Sequence, residues 1–155
     1  MTRTLIIGIG NPLRGDDGLG WRVVEALRQM TSLKEVEAVT CHQLTPEMAE
    51  HLSRAQYVIF IDACAGSPPG EIRVNRLMAA SSSDRSFTHC LDPQGLTQYC
   101  RQLYGNSPEG WTISMTGADY GYSESLSVAV ESQLPALVDL AAKAATRPPE
   151  SLGTN

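Results

Sequence analysis

Three side chains in this 155-residue sequence have the types and placement of a chemical centre: Asp17, Asp62 and His89. Asp17 belongs to "GIGNPLRGDDGLG" (8–20), a glycine-rich loop between an apolar run and a helical pattern. Such a loop ordinarily holds a phosphate with its backbone N–H groups, helped by the helix dipole. A phosphate here would meet two carboxylates, Asp16 and Asp17, and no lysine. The loop is better suited to a cation. Two carboxylates that converge without one repel, which raises a pKa and costs stability, whereas a divalent metal removes the penalty and accepts an imidazole as well. Two oxygens and one nitrogen leave positions open for water or for a ligand from a partner.

Each residue also has a plainer use. Asp16 or Asp17 can cap the helix that follows, and one of the pair is expected to do so. Asp62 can close a turn, and an isolated histidine is usually a surface or core residue. Cys41, Cys64, Cys90 and Cys100 lack C-x-x-C spacing and read as reduced, mostly buried thiols. Cys64 and Cys90 lie near the proposed residues, which leaves a soft ligand or a thiol nucleophile as the lesser alternative.

What joins the three residues is the order of elements. Leu5–Ile9 is a short buried strand, followed by a helix over Gly18–Met30 with Trp21, Val24 and Leu27 on its apolar stripe. A second strand spans Val36–Thr40, and Thr45-Pro46-Glu47 reads as N-cap, N1 proline and first-turn acid of a second helix. Tyr57–Ile61, apolar on both faces, is the strongest strand and ends at Asp62. This β-α-β-α-β order implies parallel strands with right-handed crossovers. Glu71–Leu77 alternates as a half-exposed strand, antiparallel to its predecessor and at an edge. A polar loop over 79–89, readable as a flap, leads to a helix from Asp92-Pro93 to Gly105, then a strand at Trp111–Met115. The last helix, Ser125–Ala145, is expected to break or kink at Pro135.

The expected fold is α/β, a three-layer α/β/α sandwich around a mostly parallel five-stranded sheet with one antiparallel strand. Residues 1–145 are expected to form one catalytic domain, and 146–155 a disordered tail. Ligands of open α/β sheets sit beyond the carboxyl ends of the strands. Asp17 follows the first strand there, Asp62 ends the third, and His89 precedes the helix after the fourth.

Net charge −5 and pI near 5.1 disfavour nucleic acid or an acidic membrane as partner. No apolar stretch reaches the roughly 20 residues of a membrane span, and Met1-Thr2-Arg3 leads directly into a strand, so a cytoplasmic location is expected.

These residues resemble the maturation endopeptidases of [NiFe] hydrogenases. The resemblance covers about residues 3–145 and rests on "LIIGIGNPLRGDDGLG" with "RVVEAL", "VIFIDA", "THCLDPQGL" with "LYG", and "DYGYSESLS", in that order. It implies a three-layer α/β/α fold and an acid–acid–histidine site able to bind a divalent metal. Motif by motif, these fall on Asp17, Asp62 and His89. It also implies a substrate, the hydrogenase large-subunit precursor, whose C-terminal extension is removed after nickel insertion. Nickel is then presented by that precursor as the recognition element, and another divalent metal can occupy the site in the free protein. "CHQLTPE" (41–47) resembles the subgroup serving bidirectional NAD-linked hydrogenases, although His42 and Gln43 stand where many relatives have glycines.

Two rival readings remain at this level. "GIGNP" also resembles the opening of peptidyl-tRNA hydrolases, but Arg14-Gly15-Asp16-Asp17 stands where those esterases carry a histidine and an asparagine. The other rival is a non-enzymatic nickel- or nucleotide-binding module. Gly8, Gly10 and Gly15 are spaced wrongly for a dinucleotide fingerprint.

Overall fold

The computed structural model describes residues 2–78 and 91–146. Five strands form one sheet: β1 Thr2–Ile9, β2 Val36–Cys41, β3 Ala55–Cys64, β4 Ile72–Arg76 and β5 Glu109–Thr116. Their spatial order is β2-β1-β3-β5-β4, all parallel except β4, which runs antiparallel to β5 at one edge. The helices are α1 Leu19–Arg28, α2 Ala49–Ser53, α3 Pro93–Tyr104 and α4 Val128–Thr146.

The two-residue period of the strands divides the core. Ile6, Ile59, Ile61, Ile113 and Met115 point to the face covered by α1 and α4, where Val23, Val24, Leu27 and Leu137 meet them. Leu5, Ile7, Val58 and Phe60 point to the opposite face, against Leu52 of α2 and Leu96 and Cys100 of α3. Strands apolar on both sides are what a fully covered parallel sheet requires. The expected α/β/α sandwich is therefore observed. From β1 the chain moves outward to β2 and then returns past β1 to β3, so the strand order reverses between β1 and β3. That reversal opens the crevice beyond their carboxyl ends.

Several boundaries differ from the sequence expectation. The antiparallel strand sits at the edge as expected, but β5 inserts between it and β3. Thr45 makes no side-chain cap, and Pro46–Met48 forms a 3-10 turn before α2. Asp92 does cap α3, accepting from the Gly95 amide at 2.7 Å, and Gly105 ends that helix at φ 77°. The last helix begins at Val128 and runs unbroken through Pro135, which lies on its exposed side. There the carbonyl that loses its N–H partner can be hydrated. The expected flap at 79–89 and the tail beyond 146 lie outside the described residues.

Gly20 explains how α1 can lie so close to the sheet. A Cβ added there would stand 2.5 Å from the Ile61 carbonyl oxygen, and one added at Gly8 would run into the Gly20 carbonyl. Both obstacles are backbone and cannot rotate away. Gly20→Ala should therefore destabilise the fold by about 2 kcal/mol, since overpacking of about 1–3 kcal/mol or more exceeds the roughly 1 kcal/mol of helix propensity gained. A lowered urea midpoint at unchanged slope is expected; an unchanged midpoint would contradict this packing.

Candidate active site

The loop leaving β1 turns back on itself. Arg14 N donates to Asn11 O at 3.0 Å, Leu13 N to Asn11 Oδ1 at 2.9 Å, and Asp17 N to Arg14 O at 3.1 Å, leading into a 3-10 turn at Gly15–Gly18. Asp17 Oδ2 accepts from Asn11 N at 2.8 Å, which holds its carboxylate over the end of β1. Its other oxygen has no hydrogen-bond donor among the described residues.

Asp62 lies two residues before the end of β3, paired in register with Ser114 of β5. Its Oδ1 accepts from Ala63 N at 2.8 Å. Burial pushes the Asp62 carboxyl up to about 7; the Ala63 amide opposes this, and the Asp17 charge raises it further. The two acids thus share the β1/β3 rim closely enough for the Asp17 charge to act on the Asp62 carboxyl. His89 lies outside the described residues, and among those residues no three potential metal ligands converge.

The rim contains two residues that the sequence did not single out. Cys41 ends β2, and burial, followed by the Asp62 charge, pushes its thiol up to about 11. Tyr120 donates its hydroxyl to the Cys64 carbonyl at 3.1 Å, a carbonyl that also accepts from Gly117 N at 3.2 Å. Burial raises the phenol, the Gly117 amide opposes the rise, and the charges of Cys64, Asp16 and Asp17 add to it. The available signal for Tyr120 was "DYGYSESLS", which carried part of the family resemblance without pointing to this residue. Cys41 gave none, because it comes near Asp62 only through the shared neighbour β1.

Asp16 turns away from the crevice, as expected of the structural member of the pair, but it does not cap α1. Neither the 3-10 turn nor α1 has a side-chain cap. Its fully buried carboxylate instead takes the amides of Ala118 and Asp119 at 2.7 and 3.0 Å and the Ser127 hydroxyl at 2.8 Å on Oδ2, with the Ser127 amide at 2.7 Å on Oδ1. Burial alone would raise this carboxyl, but the Ser127, Ala118 and Asp119 donors outweigh it and hold it below the ordinary range. Asp16 therefore fastens the loop before α4 to the loop after β1.

Fold and rim together define an α/β protein with an acidic pair at the switch point of its sheet. No family model and no curated protein matches the sequence. Solved structures do. The [NiFe] hydrogenase maturation protease HycI from Thermococcus kodakarensis KOD1 is 25% identical, with 94% of each chain covered and a TM-score of 0.74. A hydrogenase 2 maturation peptidase from a Thaumarchaeota archaeon is 28% identical, with 92% of this chain and 97% of that one covered and a TM-score of 0.68. The hydrogenase maturating endopeptidase HybD from E. coli, at 22% identity, agrees in fold, with a TM-score of 0.75 and coverage of 92% and 91%. The resemblance to [NiFe] hydrogenase maturation proteases thus extends over the whole fold, with over nine tenths of this chain covered in each comparison.

Proposed function

We propose that this protein is a peptide hydrolase of hydrogenase maturation, which removes the C-terminal extension of a [NiFe] hydrogenase large-subunit precursor after nickel insertion. The observation that carries the reading is the placement of Asp17 and Asp62 on one rim, on a fold shared with named maturation proteases. Each carboxylate has one oxygen on a backbone amide, at Asn11 and Ala63. The remaining oxygens have the chemistry of hard donors for a divalent cation. They can engage the nickel carried by the precursor, with His89 as the proposed nitrogen ligand. Nickel in the client then acts as the mark of a finished substrate, fixing the scissile peptide against the rim. Holding the reacting groups in place supplies much of the rate enhancement. A carboxylate oriented by its backbone amide can direct a water at the peptide carbonyl and take its proton.

No helix among the described residues is long and apolar enough to cross a membrane. The expected partner is the precursor polypeptide, met in the cytoplasm. The deciding experiment incubates the protein with nickel-loaded and nickel-free precursors, including one from an NAD-linked hydrogenase, and follows the released C-terminal peptide by mass spectrometry. Release from the nickel-loaded form alone is expected. No release from any precursor would overturn the function, and equal release from both forms would remove nickel as the mark.

A further inference from the structure

Immediately outside Asp17 stands a built ridge. Arg14 pairs with Ser123 in a parallel bridge, with Ser123 N on Leu13 O at 3.0 Å and Gly15 N on Ser123 O at 2.8 Å, so Leu13 lies beside Tyr122. The Arg14 guanidinium carbon is 4.2 Å from the Tyr122 ring centre, and Nη2 is 3.5 Å from the phenol oxygen. Tyr122 is 83% exposed and Leu13 52%.

We propose that this ridge docks the client polypeptide beside the cut bond: an extended segment whose carboxylate or main-chain carbonyl accepts from Arg14 and whose apolar side chain lies on Tyr122 and Leu13. The proposal rests on the peptide-hydrolase reading and names the surface by which that site holds its substrate. Three observations choose the occupant. The first is continuity, since the Asp17 amide is bonded to the Arg14 carbonyl, so ridge and acid belong to one turn. The second is charge. Arg22, Arg54, Arg73 and Arg76 each pair with a glutamate; Arg14, like Arg3, Arg28 and Arg101, meets no carboxylate among the described residues, but it is the one of these four that stacks on an exposed ring, Arg3 lying over the half-buried Tyr57. An acceptor from a partner would complete its coordination, and a stacked arginine is already oriented for bidentate contact. The third is rigidity. Asp16 fixes this loop from beneath through the Ala118, Asp119 and Ser127 donors, so docking orders little that is loose. Arginine and tyrosine are also the residue types in which binding energy concentrates.

The test compares Arg14→Ala and Tyr122→Ala with the native protein on nickel-loaded precursor. Each variant should raise the half-saturating precursor concentration about 10-fold, the size of a typical hot-spot loss, with kcat within about two-fold and an unchanged thermal midpoint. Leu103→Ala, an exposed apolar side chain near the end of α3 and toward the opposite rim, should change neither. Native half-saturation in both ridge variants overturns the proposal, as does a loss confined to kcat. Equilibrium binding of fluorescently labelled precursor separates the two readings. If the native protein cuts no precursor, the hydrolase reading fails; weaker binding by the ridge variants still supports the docking surface, and equal or absent binding overturns it.

Discussion

Asp16→Asn should unfold at a markedly lower urea concentration than the native protein, with a loss of about 2–4 kcal/mol at pH 7. Asparagine usually replaces aspartate well where only a helix cap is needed. Here every group that faces the carboxylate donates: two amides and a hydroxyl on Oδ2, and an amide on Oδ1. An asparagine can offer an acceptor on one side only, and its NH2 must then face another N–H in a fully buried position. The loss combines an unsatisfied buried donor with the end of charge assistance. Its pH dependence has a definite sign. The folded carboxyl is held below the unfolded value of 3.8, so its contribution is present above that value and is lost as pH falls through the lower folded one. The gap between native and variant midpoints should be full at pH 7 and close progressively below about pH 4. Equal midpoints at pH 7 would mean that the cradle contributes nothing. Asp17→Asn is the control, since its one backbone donor, Asn11 N, can bond to an amide oxygen as well.

The same residue marks the boundary of what could be read from the chain. Local pattern was informative wherever a structural cause was local. The β-branched runs ending at Ile9 and Ile61 became buried parallel strands, and Asp92, Pro93 and Gly105 bounded α3 as their chemistry requires. The two-acid rim was legible because the β-α-β order alone carries Asp17 and Asp62 to the same end of the sheet. Asp16 was misread because its neighbours in sequence look like a helix start, whereas its donors arrive from the loop before α4. The position of β5 was hidden for a related reason: nothing within Ile72–Arg76 says which strand it will pair with. Tyr120 and Cys41 owe their place to contacts made across strands and loops, which no spacing along the chain encodes.

Asp62→Asn should make the protein more stable at pH 8 while abolishing most processing. The Asp62 carboxyl titrates at about 7 in the folded protein against 3.8 unfolded, chiefly because it is removed from water. The folded state therefore binds the proton more tightly between those values, and stability must fall as pH rises from about 4 to about 7. Above about 7 the native protein carries the full cost of a poorly solvated charge. A shift of this size corresponds at most to roughly 4 kcal/mol, and partial hydration of the rim reduces the recoverable part to about 1–2 kcal/mol. Asparagine keeps the acceptor for Ala63 N and carries no charge, so this cost disappears. The Asp17 charge is the smallest of the influences on Asp62, so adding Asp17→Asn should leave most of the gain in place. Processing of nickel-loaded precursor by Asp62→Asn should fall at least about 10- to 100-fold, the loss common for disturbances even one shell away from a metal. Urea midpoints at pH 4 and pH 8, with a processing assay on the same preparations, test both halves: the midpoints of native and variant should converge at pH 4 and separate at pH 8 in favour of the variant. A variant that is less stable than native at pH 8 would show that Asp62 is held by attractions stronger than its burial, and full processing would remove it from the reaction.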